Sequence, residues 1–242
     1  MLCPRPRRGE RERAMPTDRD QTAHGAHRHG HGDHGHAHHG HGDHADAGGH
    51  RTHRFSADHA ERLLSEDRAQ SFPPEAALRN AGVGPGMTVV DLGCGPGFFT
   101  IPARHVVGTA GHVIAADVQP EMPDHLRGRL TQAGINDVHV VLANDGRVPV
   151  ADAVADVVWA AFVLHEANDP GAFLAECARL VKPGGAVAIV EWRHDVDLEI
   201  RADHRIAVPA ITAHATAAGL VRHDVQVLDD ARVLVRLTRA NA

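Results

Sequence analysis

Between residues 88 and 192, short apolar runs alternate with longer amphipathic segments. The amphipathic segments carry helix signals, such as the Lys182-Pro183-Gly184-Gly185 sequence after the apolar periodicity of residues 170–181. Strands that alternate with helices at this spacing predict a mostly parallel sheet with helices on both faces and right-handed crossovers. The predicted strands cover residues 88–91, 112–118, 138–145, 155–164 and 186–192. One predicted helix follows the first strand, and the others cover residues 120–133, 170–181 and 209–218.

The chain ends differently. Residues 221–228 and 232–238 are again apolar and strand-like, but only Asp229, Asp230 and Ala231 separate them. Three residues cannot hold a crossover helix, so this pair is predicted to be an antiparallel hairpin. The pattern therefore predicts an α/β fold, with a Rossmann-like seven-stranded sheet that is mostly parallel and ends in an antiparallel hairpin.

The first 54 residues differ from the rest in composition. Twelve histidines lie between His24 and His53, interleaved with Gly, Ala and Asp, and no branched aliphatic or aromatic side chain occurs among them. Such a segment has no apolar surface to offset the entropy cost of ordering it, so residues 1–54 are predicted to be a disordered tail. Residues 55–242 are predicted to form one domain, with a leading helical segment at 55–80.

Charge and cysteine content exclude some classes of protein. Residues 55–242 hold sixteen basic and twenty-four acidic residues, a net charge of −8, and Lys182 is the only lysine. A nucleic-acid partner is not expected of such a domain. The three cysteines form no CxxC pair, and no apolar run reaches the length of a membrane span. We expect a cytoplasmic protein with no membrane partner.

A glycine-rich loop, Gly93-Cys94-Gly95-Pro96-Gly97, follows the first predicted strand, which ends at Asp91. In open parallel sheets the ligand lies beyond the carboxyl ends of the strands, and glycines let the backbone approach it closely. Asp117 ends the second strand, twenty residues after Gly97, where its carboxylate is suited to ribose hydroxyls. Phe98 stands where a dinucleotide motif needs its third glycine, which disfavours a nicotinamide-dependent oxidoreductase.

The sequence Val89 to Thr100 (VVDLGCGPGFFT) resembles the first motif of class I S-adenosylmethionine-dependent methyltransferases of the small-molecule kind. Further similarity occurs at Asp117, at Asn144-Asp145, and in the segments 162–170 and 180–185. The resemblance implies S-adenosylmethionine as cofactor. It implies that the three loop glycines lie near the methionine moiety, Asp91 near its amino group, Asp117 at the ribose and Asp145 at the adenine amine. The expected cofactor-binding residues are Asp91, Gly93, Gly95, Gly97, Asp117 and Asp145.

Methyl transfer from a sulfonium chiefly requires that two partners are positioned and desolvated. His165 follows the fourth strand at the ligand-bearing edge and is the candidate catalytic proton acceptor, although a histidine at a strand end more often has a structural role. Glu166, Glu191, Trp192 and His194 lie at the same edge. The predicted activity is methyl transfer to a small-molecule acceptor.

The alternative is a metal-handling protein in which the tail binds a divalent ion and the domain is a non-catalytic nucleotide-binding unit. Neutral imidazoles bind Zn, Ni or Cu, and an unstructured tail would bind them loosely. No metal site is predicted in the domain. The candidate tail ligands are His31, His34, His36, His38, His39 and His41.

Overall fold

The computed structural model describes residues 44–45, 51–52, 62–144, 146–198, 201–202 and 205–240. Within the predicted tail, β1 (His44–Ala45) and β2 (Arg51–Thr52) pair antiparallel. The sequence pattern does not predict this pairing. The remainder of the tail, with its predicted metal ligands, lies outside the described residues.

The other seven strands form one sheet in the order β5-β4-β3-β6-β7-β9-β8. The first five are parallel, β9 runs antiparallel to β7, and β8 runs antiparallel to β9. The predicted fold, including the terminal hairpin, is confirmed. The strands are β3 (Thr88–Leu92), β4 (His112–Asp117), β5 (Val138–Leu142), β6 (Ala155–Ala161), β7 (Val181–Trp192), β8 (Leu220–Val227) and β9 (Arg232–Arg239).

Six α-helices and short 3-10 segments, at residues 62–64 and Leu164–Glu166, accompany these strands in the described part of the chain. Local sequence sets their ends: the Asp169 carboxylate accepts the Ala172 N–H at 3.0 Å, and Pro170 occupies the first turn of α5. None of the described helices is both long and apolar enough to span a membrane. The helices are α1 (Glu66–Ser71), α2 (Pro74–Asn80), α3 (Thr100–Val107), α4 (Glu121–Gln132), α5 (Pro170–Leu180) and α6 (Val208–Ala217).

Side-chain alternation along the strands divides the core between the two faces of the sheet. In β3, Val90 and Leu92 pack with residues of α5 and α6, whereas Val89 packs on the opposite face with residues of α2 and α3. In β6, Trp159 is fully buried on the α3 face. Each fully buried aliphatic side chain contributes about 1.5 to 3 kcal/mol, so both faces hold the sheet rigidly beneath its loops.

The strand order reverses at β3, which has β4 on one side and β6 on the other. The loops that follow β3 and β6 therefore leave the sheet in diverging directions and open a crevice between them. β6 ends at Ala161, three residues earlier than predicted, because Phe162 adopts a left-handed backbone (φ 58°) that turns the chain into the 3-10 helix. This turn brings His165 to the crevice.

Candidate functional site

Backbone hydrogen bonds fix the glycine loop to the end of β4. The N–H groups of Gly93 and Cys94 both donate to the Ala116 carbonyl, at 2.8 and 3.0 Å, and the Gly97 N–H donates to the Cys94 carbonyl at 3.0 Å. Gly93, Gly95 and Gly97 all have left-handed backbones, with φ of 76°, 52° and 91°. Glycine adopts this conformation at no steric cost, so the tight turn depends on these residues.

The three glycines differ in what surrounds them. A Cβ on Gly93 would lie 2.4 Å from Cγ2 of Val163, and a Cβ on Gly97 would lie 2.4 Å from Cδ1 of Leu126. At Gly95 the nearest such atom, Cδ1 of Leu63, is 3.8 Å away. A Cβ on Gly93 would therefore clash with the branched Val163, a Cβ on Gly97 would displace the end of the Leu126 side chain, and a Cβ on Gly95 would make an ordinary van der Waals contact.

Asp117 ends β4 directly beside this loop. One carboxylate oxygen, Oδ2, accepts the Gly95 N–H at 2.9 Å, and the other, Oδ1, accepts the Gln119 N–H at 3.0 Å. The side chain therefore orders both the loop and the turn before α4. A carboxylate can accept several hydrogen bonds at its two oxygens, so Asp117 is a group of the kind that binds ligand hydroxyls.

Asp91 lies beneath the loop and is almost completely buried. Its Oδ2 accepts a 2.6 Å hydrogen bond from the Thr100 hydroxyl at the start of α3. Burial raises the pKa of Asp91 to about 7, with a smaller contribution from the charge of Asp117, although the Thr100 hydrogen bond acts in the opposite direction. A cation placed nearby would favour the ionised carboxylate.

Across the crevice, His165 and Glu191 form a buried pair. His165 Nδ1 lies 2.7 Å from Glu191 Oε2, and Oε1 of the same carboxylate accepts the His165 backbone N–H at 3.2 Å. Glu191 is fully buried near the end of β7. The two contacts fix the imidazole ring with Nε2 directed away from the carboxylate, 3.9 Å from Oε1 of Glu166.

The electrostatics of this pair suit proton transfer. Burial lowers the pKa of His165, but the charge and hydrogen bond of Glu191, together with the charge of Glu166, outweigh burial and raise this pKa above 6.5. With Glu191 ionised, the neutral ring carries its proton on Nδ1 and presents Nε2 as a free base. Sequence reasoning placed Glu191 at this edge but did not pair it with His165.

Aromatic rings pack together near the glycine loop and near the His165–Glu191 pair. Phe162 and Trp192, at the ends of β6 and β7, have ring centroids 4.5 Å apart, and Phe72 packs edge-on to Phe162 at 5.9 Å. Phe98, in the turn after Gly97, packs edge-on to Phe99 at 4.8 Å. Phe72, Phe98 and Phe99 are buried, whereas Phe162 and Trp192 are half-buried, so part of these last two rings remains accessible near the ends of β6 and β7.

Comparison with known proteins gives a consistent result. A family model described as a methyltransferase domain matches residues 90–189. The ubiquinone/menaquinone biosynthesis C-methyltransferase UbiE of Shewanella piezotolerans is 37% identical over 123 residues, 49% of each protein. Its Vibrio vulnificus counterpart is 36% identical over 117 residues, 48% of this chain and 45% of that protein. The chain thus spans about half the length of the curated relatives it matches.

A crystal structure of a SAM-dependent methyltransferase from Aquifex aeolicus has a TM-score of 0.72 to this chain at 28% identity, covering 76% of this chain and 98% of that one. This chain contains a class I S-adenosylmethionine-dependent methyltransferase domain. The predicted family and its cofactor, S-adenosylmethionine, are confirmed.

The residues of the methyltransferase domain fit this cofactor. The glycine loop turns tightly beside Asp117, the Asp117 carboxylate is an acceptor of the kind that binds ribose hydroxyls, and Asp91 is an acid that a cationic amino group would ionise. The structure brings these groups together as the sequence predicts. Asp145, the expected adenine ligand, lies outside the described residues.

A groove of about 580 Å³ runs along α4 beside Pro96 of the loop. Its other lining includes Leu64, Glu121 and Asp124, and it contains none of the predicted cofactor residues. No group of three or more potential metal ligands occurs in the described part of the methyltransferase domain.

Proposed function

We propose that this protein transfers the methyl group of S-adenosylmethionine to a small-molecule acceptor. The observation that carries this proposal is the glycine loop bound through Gly95 to the Asp117 carboxylate, at the point where the strand order reverses. In the proposed complex the loop glycines contact the methionine moiety, Asp91 balances its amino group, and Asp117 binds the ribose. The family match over residues 90–189 supports these roles.

When bound, S-adenosylmethionine supplies an electrophilic methyl group on a sulfonium. His165 Nε2 would accept the proton that the acceptor loses when it takes this methyl group, which would convert the cofactor to S-adenosylhomocysteine. Glu191 holds the ring in the required tautomer through the 2.7 Å contact at Nδ1 and stabilises the imidazolium that forms. The rings of Phe162 and Trp192 exclude water from the reacting atoms.

The acceptor class follows from the crevice. The half-buried rings of Phe162 and Trp192 and the buried His165–Glu191 pair suit a planar molecule that has an ionisable hydrogen on its nucleophilic atom. The UbiE relatives are named for C-methylation in ubiquinone and menaquinone biosynthesis, so an aromatic precursor of these quinones is a suitable first acceptor to test.

The test uses the full chain with methyl-tritiated S-adenosylmethionine and a bacterial extract separated into small-molecule, protein and nucleic-acid fractions, with a quinone precursor assayed alongside. We expect label in the small-molecule fraction, and at least a hundredfold lower rate in His165→Ala, the range for loss of a general base. His112→Ala, which changes an exposed histidine at the opposite end of β4, is the matched control. Label in protein or nucleic acid, or no transfer to any fraction, would contradict the proposal.

A further inference from the structure

One cation in the crevice has no role in the proposed chemistry. The guanidinium carbon of Arg68, on α1, lies 4.4 Å from the ring centroid of Phe98 and 5.4 Å from that of Phe162. Its Nη1 donates to the Leu63 carbonyl at 2.9 Å. The side chain is half-buried, and the guanidinium has further N–H groups besides the one that the Leu63 carbonyl accepts.

Among the described residues, no side chain neutralises the charge of Arg68. Within the described part of the chain no carboxylate lies within ion-pair distance of Arg68, whereas the neighbouring Arg232 is paired with Asp229 at 2.9 Å and also donates to Ser71. Burial, and to a smaller extent the charge of Arg232, lowers the pKa of Arg68 to about 10. The guanidinium remains protonated at neutral pH, and a nearby anion would lower its free energy.

Arg68 contacts residues next to both the cofactor loop and the 3-10 helix that carries His165. Phe98 directly follows the last glycine of the cofactor loop, and Phe162 lies three residues before the proposed proton acceptor His165. A guanidinium that contacts both rings therefore lies between the cofactor loop and the 3-10 helix that carries His165.

We propose that Arg68 binds an anionic group of the acceptor, so that the acceptor is a planar aromatic carboxylate or a molecule of that chemistry. The planar guanidinium pairs two N–H groups with two carboxylate oxygens, and its contact with the two rings fixes the plane of that pair. An aromatic body would lie against Phe162 and Trp192 while its acidic group meets Arg68. This inference rests on the proposed methyl transfer, because it assigns the acceptor half of that site.

A purely structural role for Arg68 is the competing explanation. In that case the cation attaches α1 to Phe98 and Phe162, and removing it lowers stability without changing which small molecules bind. The two explanations differ in one measurable quantity, which is the preference of the protein for an acid over its uncharged amide.

The experiment is isothermal titration of the full chain with 4-hydroxybenzoate and with 4-hydroxybenzamide up to about 10 mM, each in the presence and absence of S-adenosylhomocysteine. We expect the wild type to bind the acid at least tenfold more tightly than the amide, as loss of a charge-assisted hydrogen bond implies. Arg68→Gln should abolish this preference, and Arg68→Lys should retain part of it. Arg79→Gln removes an exposed arginine of α2 and should leave it unchanged.

Equal affinity for acid and amide, including no binding of either, would overturn the inference, as would a preference that persists in Arg68→Gln. A lower melting temperature of Arg68→Gln with an unchanged preference would support the structural role alone. Failure of the wild type to bind S-adenosylhomocysteine would instead contradict the proposed function, and the titrations without that ligand keep the two failures distinguishable.

Discussion

Replacing Gly93 with alanine tests whether the loop depends on close packing as well as on backbone conformation. The added Cβ would lie 2.4 Å from Cγ2 and 2.9 Å from Cβ of Val163, a branched side chain with little rotational freedom. Gly86 has almost the same backbone angle, 77° against 76°, but a Cβ there would meet nothing within 4 Å. The two substitutions share the conformational cost and differ in the steric one.

The expected magnitudes follow from these contacts. An alanine in the left-handed conformation costs about 1 to 2 kcal/mol. Replacing glycine with alanine also lowers the entropy of the unfolded chain, which offsets about 0.4 to 1 kcal/mol of this cost. Gly86→Ala should therefore lower the free energy of unfolding by about 1 kcal/mol or less. Overpacking adds about 1 to 3 kcal/mol, so Gly93→Ala should lower it by about 1 to 4 kcal/mol.

Urea denaturation of the full chain, followed by circular dichroism, measures both changes. Val163→Ala removes the two nearest methyl groups, so the double variant Gly93→Ala/Val163→Ala should be more stable than the sum of the single changes predicts, by about 1 kcal/mol or more. Equal losses for Gly93→Ala and Gly86→Ala, or additive losses in the double variant, would refute the packing argument.

Three further predictions concern the buried charges. Since the neutral form of His165 is the base, kcat/KM should fall as the pH drops through the raised pKa of His165. Glu191→Gln should move that fall to lower pH, because it removes the charge that raises this pKa. A pH profile of kcat/KM that is unchanged in Glu191→Gln would contradict the proposed role of the His165–Glu191 pair. At pH 6.5 S-adenosylmethionine binding should release a fraction of a proton from Asp91, whose pKa is about 7. Calorimetric titrations in buffers of different ionisation enthalpy measure this proton release. Asp91→Asn should abolish the release, and a release that persists in this variant would exclude Asp91 as the source. Arg179→Met should lower the free energy of unfolding in urea by about 2 to 4 kcal/mol, because it leaves Glu176 buried without its 2.6 Å partner. The control, Arg79→Met, breaks an exposed ion pair and should cost at most about 0.5 kcal/mol. Equal losses in the two variants would contradict this prediction.

The fold was predictable because its signals are local. Strand and helix periods alternate along residues 88–192, and a three-residue link between the last two strands permits only a hairpin. The prediction was less accurate at strand ends, where β6 stops at Ala161 rather than at Leu164. The cause is the left-handed backbone of Phe162, a conformation that no sequence rule expects of a bulky aromatic residue.

The candidate site was predictable only in part. The loop glycines, Asp91 and Asp117 follow strand ends, and parallel strands bring their carboxyl ends to one edge. The pairing of His165 with Glu191 depends on the register between β6 and β7 and on the turn at Phe162, so only the structure shows it. An acidic residue in the otherwise apolar AVAIVEW run was the available signal, because a fully buried carboxylate needs a partner.

Isothermal titration of S-adenosylhomocysteine into the full chain, with Asp117→Asn as the variant and Asp137→Asn as the control, tests the cofactor site most directly. Asp137 precedes β5 at the opposite edge of the sheet and is half exposed. We predict micromolar binding to the wild type and to Asp137→Asn, and at least tenfold weaker binding to Asp117→Asn. No binding to the folded wild type, or equal affinity in Asp117→Asn, would contradict the proposed site.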